Sequence, residues 1–209
     1  MKNTKEIILD TALELFNSRG LAKVKLRTIA NEIGISQGNL NYHFKKREDV
    51  IEALYFRLVE SISHNMSKNS ESTNFIKVLF GMSKSVMLDL YTYRFIMLDF
   101  VQVMRENEKI NKHFQELKTQ REKQFLAFFD ILINTGLMRN EVLPNEYKNL
   151  YIRLQILGDF WISSAEIDKK KLTKASIAMY AEIMNQTIYP YLTKKGRKEY
   201  HLIERVIKI

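Results

Sequence analysis

RTIANEIGISQGNLNYHFKKRED, residues 27–49, holds two of the chain's seven glycines, an aromatic–histidine–aromatic run, and three consecutive cations followed by two acids. Ile29, Ala30 and Ile33 make a short apolar stripe at helical spacing, and Gly34 ends it. Ser36 is a good N-cap for a second short helix over 37–43, anchored by Leu40 and closed by Phe44. Ala30 and Gly34, four residues apart, supply the lack of bulk that lets two helices meet at a steep angle. Gly34 also accepts a left-handed backbone with little strain. Ile29, Ile33, Ile35 and Leu40 then form the hydrophobic knot that fixes the angle. This is the physical content of a helix-turn-helix, whose second helix enters the DNA major groove.

The outward remainder of the second helix is Gln37, Gly38, Asn39, Asn41, Tyr42 and His43. Amide side chains read adenine edges bidentately. Hydroxyls, Tyr and His tips and helix N-termini hold phosphates. A polar exposed face is ordinary for any soluble protein. Here, however, it carries no Glu, Asp or Lys and lies between two groups of cations: Arg19, Lys23, Lys25 and Arg27 on one side, Lys45, Lys46 and Arg47 on the other. Glu48 and Asp49 have a simpler role, since the first turn of the next helix favours negative charge.

Working outward, 209 residues with 45% hydrophobic and 27% charged side chains describe a globular chain, and only seven Gly and two Pro favour long helices with short loops. The chain has no cysteine, which removes disulfides and thiolate metal sites and suits a reducing cytoplasm. Asp10 and Glu14 interrupt any signal-peptide core, and no stretch is long and apolar enough for a membrane span, so a cytoplasmic location without membrane contact is expected. The net charge of +9 favours anionic partners, but residues 1–50 carry only +3 of it. Local placement, and not net count, singles out the N-terminal region.

Before the quoted stretch, Ile7, Ile8, Ala12, Leu15 and Phe16 mark a helix over 4–19 that stops at Gly20. After it, a long helix begins near Arg47 and gives way to a polar link, KNSEST, at 68–73. Periodicity then predicts helices near 74–91, 93–105, 109–135, 145–166 and 172–194, the last kinked at Pro190, and a short one near 197–207. The fold class is all-α.

Residues 4–61 resemble the DNA-binding domain of the tetracycline-repressor (TetR) family, through ILDTALELFNSRG, RTIANEIGIS and GNLNYHFKKREDV. The family's last motif commonly reads Gly-x-Leu-Tyr-x-His-Phe, then Lys and an acid. This chain keeps Gly38, Leu40, His43 and Phe44 but has Asn41 in place of the Tyr, a departure that alters base preference without threatening the fold. The resemblance implies that Thr28, Ser36, Tyr42, His43, Lys46 and Arg47 hold phosphates and that Gln37, Gly38, Asn39 and Asn41 lie nearest the bases. It divides the chain into a helix-turn-helix domain over 1–61 and a helical ligand-binding and dimerisation domain over 62–209.

In the second part, Tyr147, Leu150, Tyr151, Leu154, Leu157, Trp161 and Ala165 form one stripe, with Ile152, Ile156, Phe160 and Ile162 largely off it. A helix apolar on two sides is buried on two sides. The region 172–194 repeats this with Ile177, Tyr180, Ala181, Met184, Ile188 and Tyr191. The same pattern fits the ordinary core of a monomer or two helices from each subunit making a four-helix homodimer interface, and the choice of the homodimer rests largely on the resemblance. Two recognition helices then require an inverted-repeat operator in double-stranded DNA. Phe80, Met82, Met87, Phe95, Met97, Phe100, Met104, Phe125, Phe128 and Phe129 read first as plain core; the resemblance makes their bundle the place for an apolar small-molecule effector.

The expected function is a sequence-specific transcriptional regulator, a homodimeric repressor released by an effector. The alternative is a DNA-binding regulator or architectural protein without small-molecule control. An enzyme is not expected. His43, His64, His113 and His201 are scattered, and no metal-ligand spacing, phosphate loop or nucleophile elbow occurs, so no catalytic residue, metal or cofactor is assigned. The basic tail from Lys194 onward reads as a solvated or bundle-packed segment.

Overall fold

Asn3 opens the first helix with a reciprocal cap: its side chain accepts the Glu6 N–H (2.9 Å) and the Glu6 carboxylate accepts the Asn3 N–H (3.1 Å). This helix, α1 (Thr4–Arg19), begins an architecture of eleven α-helices with no strand among the described residues. The structure is a computed structural model and describes residues 3–69, 72–168 and 172–207. Ser70 and Glu71 of the expected polar link, and the last two residues of the basic tail, lie outside the described residues.

The chain divides into two compact units, Met1–Ser61 with Asp89–Lys112, and Ile62–Leu88 with His113–Ile209. The first contains α1, α2 (Leu26–Ile33), α3 (Gln37–His43) and the start of α4 (Arg47–Asn69). It also takes in the last turn of α5 (Phe75–Thr92), α6 (Arg94–Leu98), α7 (Phe100–Glu106) and the start of α8 (Glu108–Asn134). Its core includes Ile8, Ala12, Phe16, Ile29, Leu40, Val50 and Leu54. In α1, Leu9 is buried while Ile7, placed on the apolar stripe by spacing, is exposed. Arg57 pairs with Asp10 (2.6 Å) and Lys109 with Glu52, tying α4 to α1 and to α8 inside this unit.

Two expectations change here. The single helix expected over 93–105 is two, because Asp99 leaves helical geometry (φ −106°, ψ 25°) with no Gly or Pro to announce it. Phe95 and Met97, grouped in sequence with the bundle interior, are instead core residues of the first unit.

The second unit contains the remainder of α4, α5 and α8 with α9 (Glu146–Ile167), α10 (Lys174–Ile188) and α11 (Lys194–Ile207). Ile76, Leu79 and Phe80 of α5, Phe129 and Leu132 of α8, Leu150 and Leu154 of α9 and Tyr200 of α11 share one core. The helix expected over 172–194 ends at Ile188. Pro190 sits in a following 3-10 turn, Tyr189–Tyr191, so it terminates the helix where a kink was expected. The last helix begins three residues earlier than its pattern suggested, since the Thr193 hydroxyl accepts the Gly196 N–H (3.1 Å) as an N-terminal cap. A Cβ at Gly196 would lie 2.1 Å from the Leu137 carbonyl oxygen, so only glycine allows α11 this close to the turn after α8.

The loop before α9 is held by charge. Arg139 grips Glu146 with two hydrogen bonds (2.7 and 2.8 Å), and the same carboxylate accepts the Val142 N–H (2.8 Å). These bonds hold the Glu146 carboxyl well below its ordinary 4.5, at about 2. Burial pushes Asp159, half-buried on α9, from 3.8 up to about 6, against smaller opposing effects of the Gln155 hydrogen bond and the Lys118 charge.

Candidate nucleic-acid interface

The angle between α2 and α3 is set as the sequence suggests, but by one device fewer. Ile29, Ala30 and Leu40 are buried, and Gly34 caps α2 with φ +70°. Its N–H bonds the Asn31 carbonyl (3.3 Å), and the Ile35 N–H bonds that of Ala30 (3.1 Å). A Cβ at Gly34 would meet nothing within 4 Å. Gly34 therefore serves by its left-handed backbone, and the close approach assigned to it rests on Ala30 alone. Ile33 and Ile35 are only partly covered, at the edge of the knot.

Ser36 caps α3, its hydroxyl accepting the Asn39 N–H (3.1 Å). With 3.6 residues per turn, burying Leu40 turns Gly38 and Tyr42 to the opposite, outermost side of α3. Asn39 and Asn41 then lie on its flanks, and Gln37 and His43 nearest the buried edge. The exposures agree: Gln37, Gly38, Asn39, Asn41 and Tyr42 are exposed, Tyr42 by 85%, while His43 is half-buried with its ring edge-on to Tyr42 (5.2 Å). A Cβ built at Gly38 meets only the Ser36 hydroxyl, at 3.9 Å, so nothing inside the fold requires glycine there.

The remaining predicted site residues differ in how free they are. Lys46 is exposed, and its backbone N–H caps onto the Asp49 carboxylate (2.9 Å), leaving α4 to start with Glu48 and Asp49 in its first turn. Arg47 is half-buried. Its guanidinium bonds Glu48 (3.3 Å) and the Leu21 carbonyl (3.4 Å), so it also ties the start of α4 to the turn after α1. Thr28 is half-buried, its hydroxyl accepting the Lys25 N–H (3.4 Å) at the start of α2.

Beside α2 runs an open groove of about 490 Å³ lined by Arg19, Lys25, Arg27, Thr28, Asn31 and Glu32. The cations that appear acid-free along the sequence meet an acid in space: Arg19 pairs with Glu32 at 3.1 Å. Lys25, Arg27 and Asn31 were not assigned as site residues from sequence. The signal was present, because Arg27 and Asn31 are four apart on α2 and flank Thr28 on one face.

Comparison with known proteins agrees with the all-α fold. The family model described as bacterial regulatory proteins, tetR family, matches residues 8–54, and that described as bacterial transcriptional repressor matches residues 57–200. The chain belongs to the TetR family of bacterial transcriptional regulators. It is 30% identical over 93 residues to the class C tetracycline repressor protein of Escherichia coli, a match covering 44% of this chain and 42% of that one. It is 24% identical over 134 residues to IcaR, the negative regulator of the biofilm operon icaADBC in Staphylococcus epidermidis, covering 60% and 69%. The chain thus matches less than half the length of the E. coli relative. A TetR-family regulator from Marinobacter aquaeolei VT8 superposes with a TM-score of 0.86 over 98% of both chains at 19% identity, a likeness of fold alone. Members of this family are DNA-binding regulators, typically repressors, and generally not enzymes. Among the described residues of this TetR-family chain, no helix is long and apolar enough to cross a membrane.

Proposed function

We propose that the protein is a cytoplasmic homodimeric repressor that lays α3 of each subunit in the major groove of an inverted-repeat operator and leaves it when a small molecule binds the second domain. The observation that carries the DNA half is the outward face of α3. It offers amides, a largely exposed Tyr and a glycine that the fold does not need, at the point where backbone would come closest to bases. Gln37, Gly38, Asn39 and Asn41 read base edges, while Thr28, Ser36, Tyr42, His43, Lys46 and Arg47 hold phosphates, joined by Lys25 and Arg27 of the groove. In this reading residues 1–61 read DNA and 62–209 dimerise and sense.

Support for the homodimer comes from apolar side chains left uncovered on one subunit. Ile152, Ile156 (56%), Phe160 (42%) and Ile167 of α9 and Met179 and Ile183 of α10 are exposed. Ile162, expected on this outer face, is fully buried and belongs to the subunit's own core. Covering such a face with a second copy removes apolar area from water at about 25 cal/mol per Å². For the effector, support comes from the aromatic interior of the second unit, where Phe125 packs against Phe129 and Tyr151 (6.2 and 5.4 Å). A transcriptional regulator from Saccharomonospora viridis has been solved in complex with choline (TM-score 0.72, 17% identity); for this chain the aromatic walls favour an effector of apolar character. An effector acts only through different affinity for the DNA-bound and free states. The test is operator binding by the purified protein with and without a library of apolar ligands. Release by at least one supports the sensing half, and unchanged affinity across the library contradicts it.

A further inference from the structure

Between α5 and α6 the chain breaks at Tyr93 (φ −106°, ψ 33°). A helix end leaves carbonyls without partners and a helix start leaves N–H groups without them. One side chain serves both. The Asn17 amide donates to the Thr92 carbonyl (2.8 Å), and its oxygen accepts the Phe95 N–H (3.1 Å). Asn17 comes from the last turn of α1, more than seventy residues away in sequence. Its neighbour Phe16 stacks on Phe95 with ring centroids 4.9 Å apart and planes at 27°, and each ring is 1% exposed. The Phe16 carbonyl also accepts the Gly20 N–H (3.0 Å) that ends α1. Beyond Gly20 the turn at Leu21 receives Arg47 and leads into α2. Phe16 and Asn17 thus join the α5–α6 break to the base of the helix-turn-helix, all within the first unit.

We propose that Asn17 is a positioning residue: it couples the α5–α6 break at residues 92–95 to the DNA-reading state of α2 and α3. This rests on the reading of α3 as the DNA-contacting helix. Only an amide fits the position. Aspartate keeps an acceptor for Phe95 but sets an oxygen against the Thr92 carbonyl, whereas Ala or Leu removes both of the Asn17 hydrogen bonds. Coupling is reciprocal, so DNA bound at α3 must steady the hydrogen bond at Phe95 although it does not touch it.

The experiment is hydrogen exchange of the full-length protein, resolved at α3 and at residues 92–98, with a duplex that the protein selects from a random pool and with an unselected duplex. The selected duplex is expected to slow exchange at α3 and, about tenfold, at Phe95, the size of one ordinary hydrogen bond. Protection at α3 with Phe95 unchanged overturns the coupling and leaves the DNA reading standing. No protection at α3 overturns the DNA reading itself, and the coupling with it. In parallel, Asn17→Ala is expected to lower affinity for the selected duplex by about tenfold while changing affinity for unselected duplex less than about twofold. A merely structural role lowers both by the same factor, which would also overturn the proposal. The wild-type exchange result decides the matter even if the variant fails to fold.

Discussion

Replacing Gly38 by Ala separates what the fold needs from what DNA needs. The added methyl meets only the Ser36 hydroxyl at 3.9 Å, an ordinary contact, and Gly38 has no positive φ, so the folded chain accepts it without strain. Alanine is a better helix former than glycine by up to about 1 kcal/mol, and position 38 lies in the first turn of α3. The variant should therefore be as stable as the parent or slightly more so, with a melting temperature raised by about 0–4 °C. On DNA the same methyl stands opposite Leu40 at the outermost line of the helix. Forcing it into a packed contact costs about 1–3 kcal/mol, or roughly a five- to 150-fold loss of affinity for the selected operator. Thermal melts and fluorescence anisotropy titrations at fixed salt measure the two effects on one preparation. An unchanged operator affinity would refute the orientation of α3 argued here. A fall in melting temperature would refute the inference that the fold has no use for glycine at 38.

Gln37→Ala should reduce discrimination between operators, whereas Lys46→Ala should weaken binding to every duplex and lower the salt slope by about one; titrations on selected and random duplexes over a salt series check both. Ile156→Asp places a charge in the uncovered face of α9 and should yield monomers in sedimentation with the helical content intact; a dimer of undiminished stability would remove that face from the interface. Asp159→Asn should stabilise the protein by up to about 3 kcal/mol above pH 6, because burial raises the carboxyl from 3.8 to about 6 and ionising it costs folding energy. The folded state binds more protons between those values. The parent should therefore lose stability as pH rises through that window, and the variant's advantage should vanish near pH 4, as melts across pH will register. Gly196→Ala must push α11 off the Leu137 carbonyl and should cost about 1–3 kcal/mol in thermal melts, with no change in the DNA contacts of a folded sample.

The head was legible because its signals are local. Ser36 caps the helix that its position predicts, Gly34 stops α2, and Leu40 alone among 37–43 is buried, so the outward residues of α3 followed directly. What escaped depends on distant partners. Glu32 neutralises Arg19 only once α1 and α2 are folded side by side, and Gly196 looks dispensable until the Leu137 carbonyl lies against it. Ile162 shows the limit of helical spacing: on a helix apolar on two sides, periodicity does not tell which side its own subunit covers. The break at Asp99 carries no Gly or Pro, and Phe95 reads as bundle core until Phe16 is stacked on it. Asn17, in ELFNSRG, looks like any polar residue near a helix end, since its two partners lie more than seventy positions away.

The central claim is that paired copies of α3 read a two-fold sequence in duplex DNA. Selection of binding sites from a random duplex pool by the purified protein, followed by titration of the enriched sequence at physiological salt, tests it most directly. The account predicts an inverted repeat with half-sites about one helical turn apart, or a multiple of that, bound at least about a thousandfold more tightly than random duplex. Enrichment of no palindrome, with equal affinity for all duplexes, would contradict it.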